Sequence, residues 1–170
     1  MDFIESHHEI YSMQYYLTPF ILAAKYDQYE ALQLLLDHDT NTAPNYHIIV
    51  QYLLRYVVNP SYRCIKLLLD RGTQLNLISH PILTAMTRNL PSIVKLFIEY
   101  GANPNACKTK GLTPLYIASR TGRLEMVKIL VEAGADTNKW YNKNTPVTIA
   151  RYRNHMDVVA YLRTINKNDG

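Results

Sequence analysis

The chain has 170 residues, 48% of them hydrophobic and 19% charged, with a formal net charge of +4 and a pI near 9.0. That size and balance suit one soluble unit able to bury about 70% of the surface of its unfolded chain. No apolar run approaches the roughly 20 residues of a membrane span. The acidic, polar start MDFIESHHEI is neither a secretory signal nor an Arg-rich transit peptide, so an intracellular protein, cytoplasmic or nuclear, is expected.

In chain order, residues 1–16 carry Phe3, Ile4, Ile10, Tyr11 and Met13 and are expected to cover one end of the elements that follow. Thr18-Pro19-Phe20, with Ala23, leads into ALQLLLDHDTN at 31–41. HIIVQYLLRYVV at 47–58 predicts a helix paired with CIKLLLDRGTQLN at 64–76. His80-Pro81-Ile82, with Ala85, precedes IVKLFIEYGANPN at 93–105. The clearest stretch, GLTPLYIASRTGRLEMVKILVEAGADTN, fills 111–138. Thr145-Pro146-Val147, with Ala150, opens a last pair whose second helix, MDVVAYLRTI, has no Gly stop. A polar tail, 167–170, follows, and no complete degradation-recruiting segment is expected after residue 166.

These segments are copies of one unit. Thr113-Pro114 returns as Thr145-Pro146, 32 residues on, and Gly101-Ala102 as Gly134-Ala135, 33 residues on. A fixed period near 33 marks a stacked repeat protein, not a globule built around a private active site. Pro114 and Pro146 suit the first helical position, where an N–H lacks a partner anyway, and Thr113 and Thr145 suit the N-cap. Ala118 and Ala150 permit close helix approach. Gly72, Gly101 and Gly134 suit the left-handed residue that ends a helix; Asp39 stands at that place in the first copy, where a positive φ costs about 1 kcal/mol.

The T-P-L-x-x-A opening at 113–118 and the G-A-D-x-N ending at 134–138 resemble the ankyrin repeat. The resemblance covers nearly the whole chain and implies an all-α stack of antiparallel helix pairs with short hairpin fingers. Five repeats are expected, at about 17–43, 46–76, 79–105, 112–138 and 145–166, in one domain spanning 17–166. The family's Thr–His bond network between repeats is missing, because its His position reads Ile21, Leu83, Tyr116 and Thr148; stability is then expected to rest on apolar stacking. From Gly72 to Pro81 the spacing is 9, against 13 from Gly101 to Pro114, so the second finger is cut short. His155 matches the family's usual residue in the turn between helices, a structural place.

Family members usually present a surface and do no chemistry, so the resemblance implies a non-catalytic module that binds a protein through its fingers and concave face. Its variable positions fall at Lys110 and Leu112 on one finger and at Trp140 and Tyr141 on the next. On the first helices they fall at Tyr26, Arg88, Arg120, Tyr152 and Arg153. Exposed Trp, Tyr and Arg together have the composition of an interface hot spot; the alternative for Trp140, the chain's one tryptophan, is packing onto the last repeat. Fourteen tyrosines among many Ile, Asn and Lys residues are similar in flavour to short ankyrin proteins of viruses and intracellular pathogens. For such proteins the host cytosol and a host-directed inhibitor or adaptor role are implied.

Other chemistry finds little support. Glu5, His7, His8 and Glu9 match no metal-ligand spacing, so no metal is expected. No phosphate-binding glycine loop, nucleophile elbow or zinc-protease helix is present, so neither enzyme activity, cofactor nor small-molecule substrate is expected. Cys64 and Cys107 are expected to stay separate, reduced thiols. Basic residues gather in 108–153, and this leaves open an accessory subunit that meets nucleic acid inside a larger particle.

Overall fold

The computed structural model describes residues 18–38, 45–107 and 112–168; the expected cap over 1–16, the Asp39 turn and Lys110 lie outside these residues. Helices follow one another as α1 (18–25), α2 (Tyr29–Asp37), α3 (Tyr46–Tyr56), α4 (Tyr62–Asp70), α5 (Pro81–Thr87) and α6 (Pro91–Glu99). The chain continues as α7 (Pro114–Arg120), α8 (Leu124–Glu132), α9 (Pro146–Tyr152) and α10 (Met156–Asn168). The class is all-α: among the described residues the only extended pairing is one isolated bridge, Tyr141 to Asn144. None of the described helices is long and apolar enough to cross a membrane. The chain divides into two compact units, one up to Ile78 and one from Ser79 onward.

In the first unit α4 packs against both α2 and α3, burying Leu32, Leu36, Ile49, Leu53, Ile65 and Leu68. Helix α3 stops at Tyr56 instead of running to Val58, and Val57 is already extended, with ψ 123°. Pro60 keeps Asn59, the residue before it, out of helical geometry, so the helix could not have continued past Val58. The Ser61 hydroxyl caps α4 by accepting from the Cys64 N–H at 3.2 Å. The same hydroxyl donates to Asp27 Oδ1 in the α1–α2 turn, and Arg63 stands 3.7 Å from the other Asp27 oxygen. Arg71 pairs with Asp37. After Gly72 the shortened connection contains a single 3₁₀ turn, Leu75–Leu77.

The second unit is three helix pairs in register. First helices α5, α7 and α9 form one row and second helices α6, α8 and α10 the other, each helix packing on its counterpart in the adjacent pair. Small residues make this possible: Ala85, Ala118 and Ala150 are completely buried. Of the seven residues of α7, Pro114, Leu115, Tyr116, Ala118 and Ser119 are buried.

Caps differ from pair to pair. Thr113 accepts from the Tyr116 N–H at 3.2 Å. Thr145 accepts from the Thr148 N–H while Thr148 Oγ1 accepts from the Thr145 N–H at 2.7 Å, a reciprocal capping box. His80 makes no cap bond and sits at φ 49°, ψ 61°. The short connection turns the chain sharply there, and an imidazole does not replace a threonine hydroxyl.

Polar bridges also tie the pairs together, so apolar stacking is not alone in doing so. Arg123 donates to the Met86 carbonyl, and His155 Nε2 donates to the Arg120 carbonyl at 3.1 Å. Asn105 accepts from the Asp136 N–H at 2.8 Å and donates to the Gly134 carbonyl at 3.2 Å. Four of the five helix–helix turns place a left-handed residue at one repeating position, Asp27, Asn89, Gly122 or Asn154; the α3–α4 turn has none.

Gly122 is the constrained member of that set. Its φ is +69°, and a Cβ there would lie 2.4 Å from His155 Nδ1, whereas a Cβ at Gly101, φ +87°, would meet nothing within 4 Å. Gly101→Ala is therefore expected to lose about 1 kcal/mol through φ alone. Gly122→Ala is expected to lose about 2 kcal/mol or more, because the His155 ring must also move; urea unfolding of both variants measures the difference.

The Ser61 hydroxyl, followed by Arg63, outweighs desolvation and holds the Asp27 carboxyl below its usual value. A depressed folded-state pKa contributes stability above the unfolded-state pKa, and that stability is lost as pH falls through the folded value, below about 4. Ser61→Ala is expected to cost about 1 kcal/mol at neutral pH, chiefly through the lost cap. Its deficit relative to wild type narrows in urea titrations as pH falls below about 4, and a deficit independent of pH would refute the Asp27 link.

Candidate functional site

The exposed residues cluster where the backbone leaves the core. Residues 134–145 form the last finger. Tyr141 and Asn144 exchange both backbone hydrogen bonds, at 2.9 and 3.0 Å. Asn142 and Lys143 at the tip have φ 46° and 61°, and two consecutive positive φ values are the signature of a type I′ hairpin. The tip is thus Asn142-Lys143, and Trp140 stands one residue before the paired rungs. Its indole is 64% exposed and is not folded onto the last helix pair. Tyr141, half-buried, anchors the finger by meeting the Tyr116 ring edge-on at 5.1 Å.

A second group lies at the opposite ends of α7 and α9. Arg120 is the last residue of α7 and is exposed. Tyr152 ends α9 and is 79% exposed, and the Arg153 guanidinium stands 5.9 Å from its ring centroid. The His155 bond to the Arg120 carbonyl and the packing of α7 on α9 hold these residues in one region. Arg88 caps the end of α5 and is half-buried. Leu112, half-buried, precedes the Thr113 cap.

Tyr26 belongs to the first unit, where it is 62% exposed with the Lys25 ammonium 5.1 Å from its ring. The structure gathers Arg120, Trp140, Tyr141, Tyr152 and Arg153 on two adjoining helix pairs of the second unit. Met156, 55% exposed at the start of α10, was not singled out from the sequence. Leu124 at the equivalent place in α8 is half-buried, so the repeat register itself carries no signal for this exposure.

Reactive chemistry is sparse here. Among the described residues no group of three or more His, Cys, Asp or Glu side chains could hold a metal. Cys64 is buried and Cys107 exposed, and both are free. Burial pushes the Cys64 thiol pKa up, which disfavours the reactive thiolate. Ser119 Oγ is the one buried side-chain oxygen or nitrogen without a partner among the described residues, and no base stands beside it to activate it.

Residues 81–169 match the family model described as ankyrin repeats (3 copies). The chain belongs to the ankyrin-repeat family. It is 31% identical over 150 residues to the B-cell lymphoma 3 protein homolog of Mus musculus, a match covering 81% of this chain and 33% of that protein. It is 32% identical over 170 residues to glycerophosphocholine phosphodiesterase gde1 of Schizosaccharomyces pombe, covering 86% of this chain and 14% of the enzyme. It is 29% identical over 150 residues to an ankyrin repeat protein of fowlpox virus (strain NVSL), covering 78% and 27%. The chain thus spans a third or less of the length of each of these relatives. Ankyrin repeats generally mediate protein–protein interaction, and the family is typically non-catalytic.

The finger's shape rests on a residue poorly suited to it. Lys143 holds a left-handed conformation that favours glycine. Lys143→Gly is expected to raise stability by about 0.5–1 kcal/mol in thermal or urea unfolding. A loss of stability would show that the lysine side chain itself supports the hairpin.

Proposed function

We propose that this ankyrin-repeat chain is a non-catalytic binding module that docks a protein partner on the last finger and the C-terminal ends of α7 and α9. The observation that carries this reading is the exposure of Trp140 on the last finger and of Tyr152 at the end of α9, 64% and 79%, with exposed Arg120 and Arg153 on the Tyr152 side. Those residue types supply most hot-spot energy at protein interfaces, and here they stand with exposed cations on two adjoining helix pairs. Bound this way, the chain acts as an inhibitor or an adaptor. The likeness to a fowlpox virus protein supports a host-directed role in the cytoplasm or nucleus of an infected cell. The phosphodiesterase chemistry in the name of the yeast relative is not carried over, because the matched region is a small fraction of that enzyme.

The double variant Trp140→Ala, Arg120→Ala separates binding from folding. Both side chains face solvent, so stability is expected to stay within about 1 kcal/mol of wild type. Affinity for the partner that copurifies with the wild-type chain is expected to fall by about 2 kcal/mol or more, read by titration calorimetry. Unchanged affinity would move the docking surface elsewhere.

A further inference from the structure

The second unit keeps its charges apart. From residue 79 onward the chain holds 13 Lys and Arg against 6 Asp and Glu, whereas the first 78 residues hold 5 against 8. Glu99, Glu125, Glu132 and Asp157 all lie on the second helices α6, α8 and α10. Asp136 sits at the finger base, where its carboxylate accepts from the Asn138 N–H at 2.9 Å.

The first helices read PILTAMT, PLYIASR and PVTIARY. They carry no acid, and no charge before their last two residues. Cations stand on both sides of this uncharged strip. Arg120 and Arg153 are exposed at the turn side, and Lys139 and Lys143 at the finger side; Arg123 is engaged with the Met86 carbonyl. The helix dipole favours cations at helix C-termini and so accounts for the sign at Arg120 and Arg153. At the finger side, before the N-termini of α9 and its neighbours, the dipole favours anions, yet lysines stand there. Local helix stability therefore does not explain the finger-side charges.

Distance then selects the ligand. Seven helical residues at 1.5 Å each separate the two basic groups by about 10 Å. The strip between them shows half-buried Ile117, Val147 and Thr148, flanked by the exposed rings of Trp140 and Tyr152. A nucleic-acid strand carries a charge about every 3.4 Å and would lay unneutralised phosphates over this uncharged middle. An extended peptide crosses it in about three residues.

We infer that this surface binds an acidic protein segment in which carboxylates flank a short apolar stretch. The apolar residues lie on the strip between Trp140 and Tyr152, and the carboxylates meet the Lys139–Lys143 side and the Arg120–Arg153 side. This rests on the binding-module reading and names the chemistry of the partner.

The test uses the full chain and follows Trp140, the sole tryptophan, by fluorescence. The probe is a synthetic peptide with three acidic, three apolar and three acidic residues in that order. The controls are its Asn/Gln counterpart, an isomer with the apolar residues moved to one end, and an oligothymidylate of similar charge. The acidic peptide is expected to shift Trp140 emission and to bind more weakly as salt rises. The Asn/Gln peptide, the isomer and the oligothymidylate are each expected to bind about tenfold more weakly or worse. The variant Arg120→Glu, Lys143→Glu is expected to lose about tenfold or more in affinity for the acidic peptide, with only a small fall in melting temperature from the anion at the α7 C-terminus.

Absence of binding by the acidic peptide overturns the inference. So does equal binding by the isomer, which would reduce the surface to bulk charge, or equal or tighter binding by oligothymidylate, which would make it a nucleic-acid surface. If the peptide fails while Trp140→Ala, Arg120→Ala still loses the copurifying partner, the binding-module reading stands and only the partner chemistry falls. If the peptide fails and that variant keeps its partner, both readings fall.

Discussion

A seven-residue helix has too few internal hydrogen bonds to hold its shape in water, and α7 is seven residues long. What holds it is side-chain contact with α5 on one side, α9 on the other and α8 behind. Alanine at 85, 118 and 150 lets these helices approach closely enough for the larger side chains around them to interlock. The same crowding buries five of the seven α7 residues, so the helix offers the outside only its end and the loops it supports. A bulky or polar group at Ala118 would separate the layers, and the finger and turn residues would lose their common frame.

The loops are held by a different physics. Four helix–helix turns use a residue at positive φ, Asp27, Asn89, Gly122 or Asn154, and in the second unit the adjacent pairs lock the turns. His155 lies on Gly122 and reaches the Arg120 carbonyl, Arg123 reaches Met86, and Asn105 spans two finger bases. The His155 bond engages a carbonyl at a helix end, where intrahelical partners run out, and the Arg123 bond adds to a carbonyl already held by the α5 C-terminal turn. Chain ends of helices that would otherwise fray thus become fixed platforms, a requirement for any side chain that binds without a large entropic cost.

On this frame the chain separates its surface chemistry by row. In the second unit the second helices mix acids with bases, while the first helices α5, α7 and α9 and their turns are neutral or basic. Burial forces neutrality on the helix bodies, since an ionised group between α7 and α9 would be desolvated without a partner. It imposes no sign on the exposed ends; the helix dipole favours the cations at the C-termini, and the finger-side lysines are a property of this chain's surface and not of its fold.

The sequence by itself determined the class, the period and the pairing of helices. Thr-Pro openings, alanines and terminal glycines are local requirements of backbone and packing, and they recur wherever the same turn recurs. It also marked the departures, in the shortened stretch after Gly72 and the missing His positions. Only the tertiary structure decided that Thr148 rebuilds a capping box, that His80 turns left-handed instead of capping, and that α3 ends at Tyr56. It likewise decided that Trp140 stays in water while Tyr141 beside it packs on Tyr116, and that Arg123 is engaged with a carbonyl while Arg120 is exposed. Adjacent residues of similar type met opposite fates because exposure depends on which neighbouring repeat lies within reach, a long-range fact that a period of 33 residues does not encode.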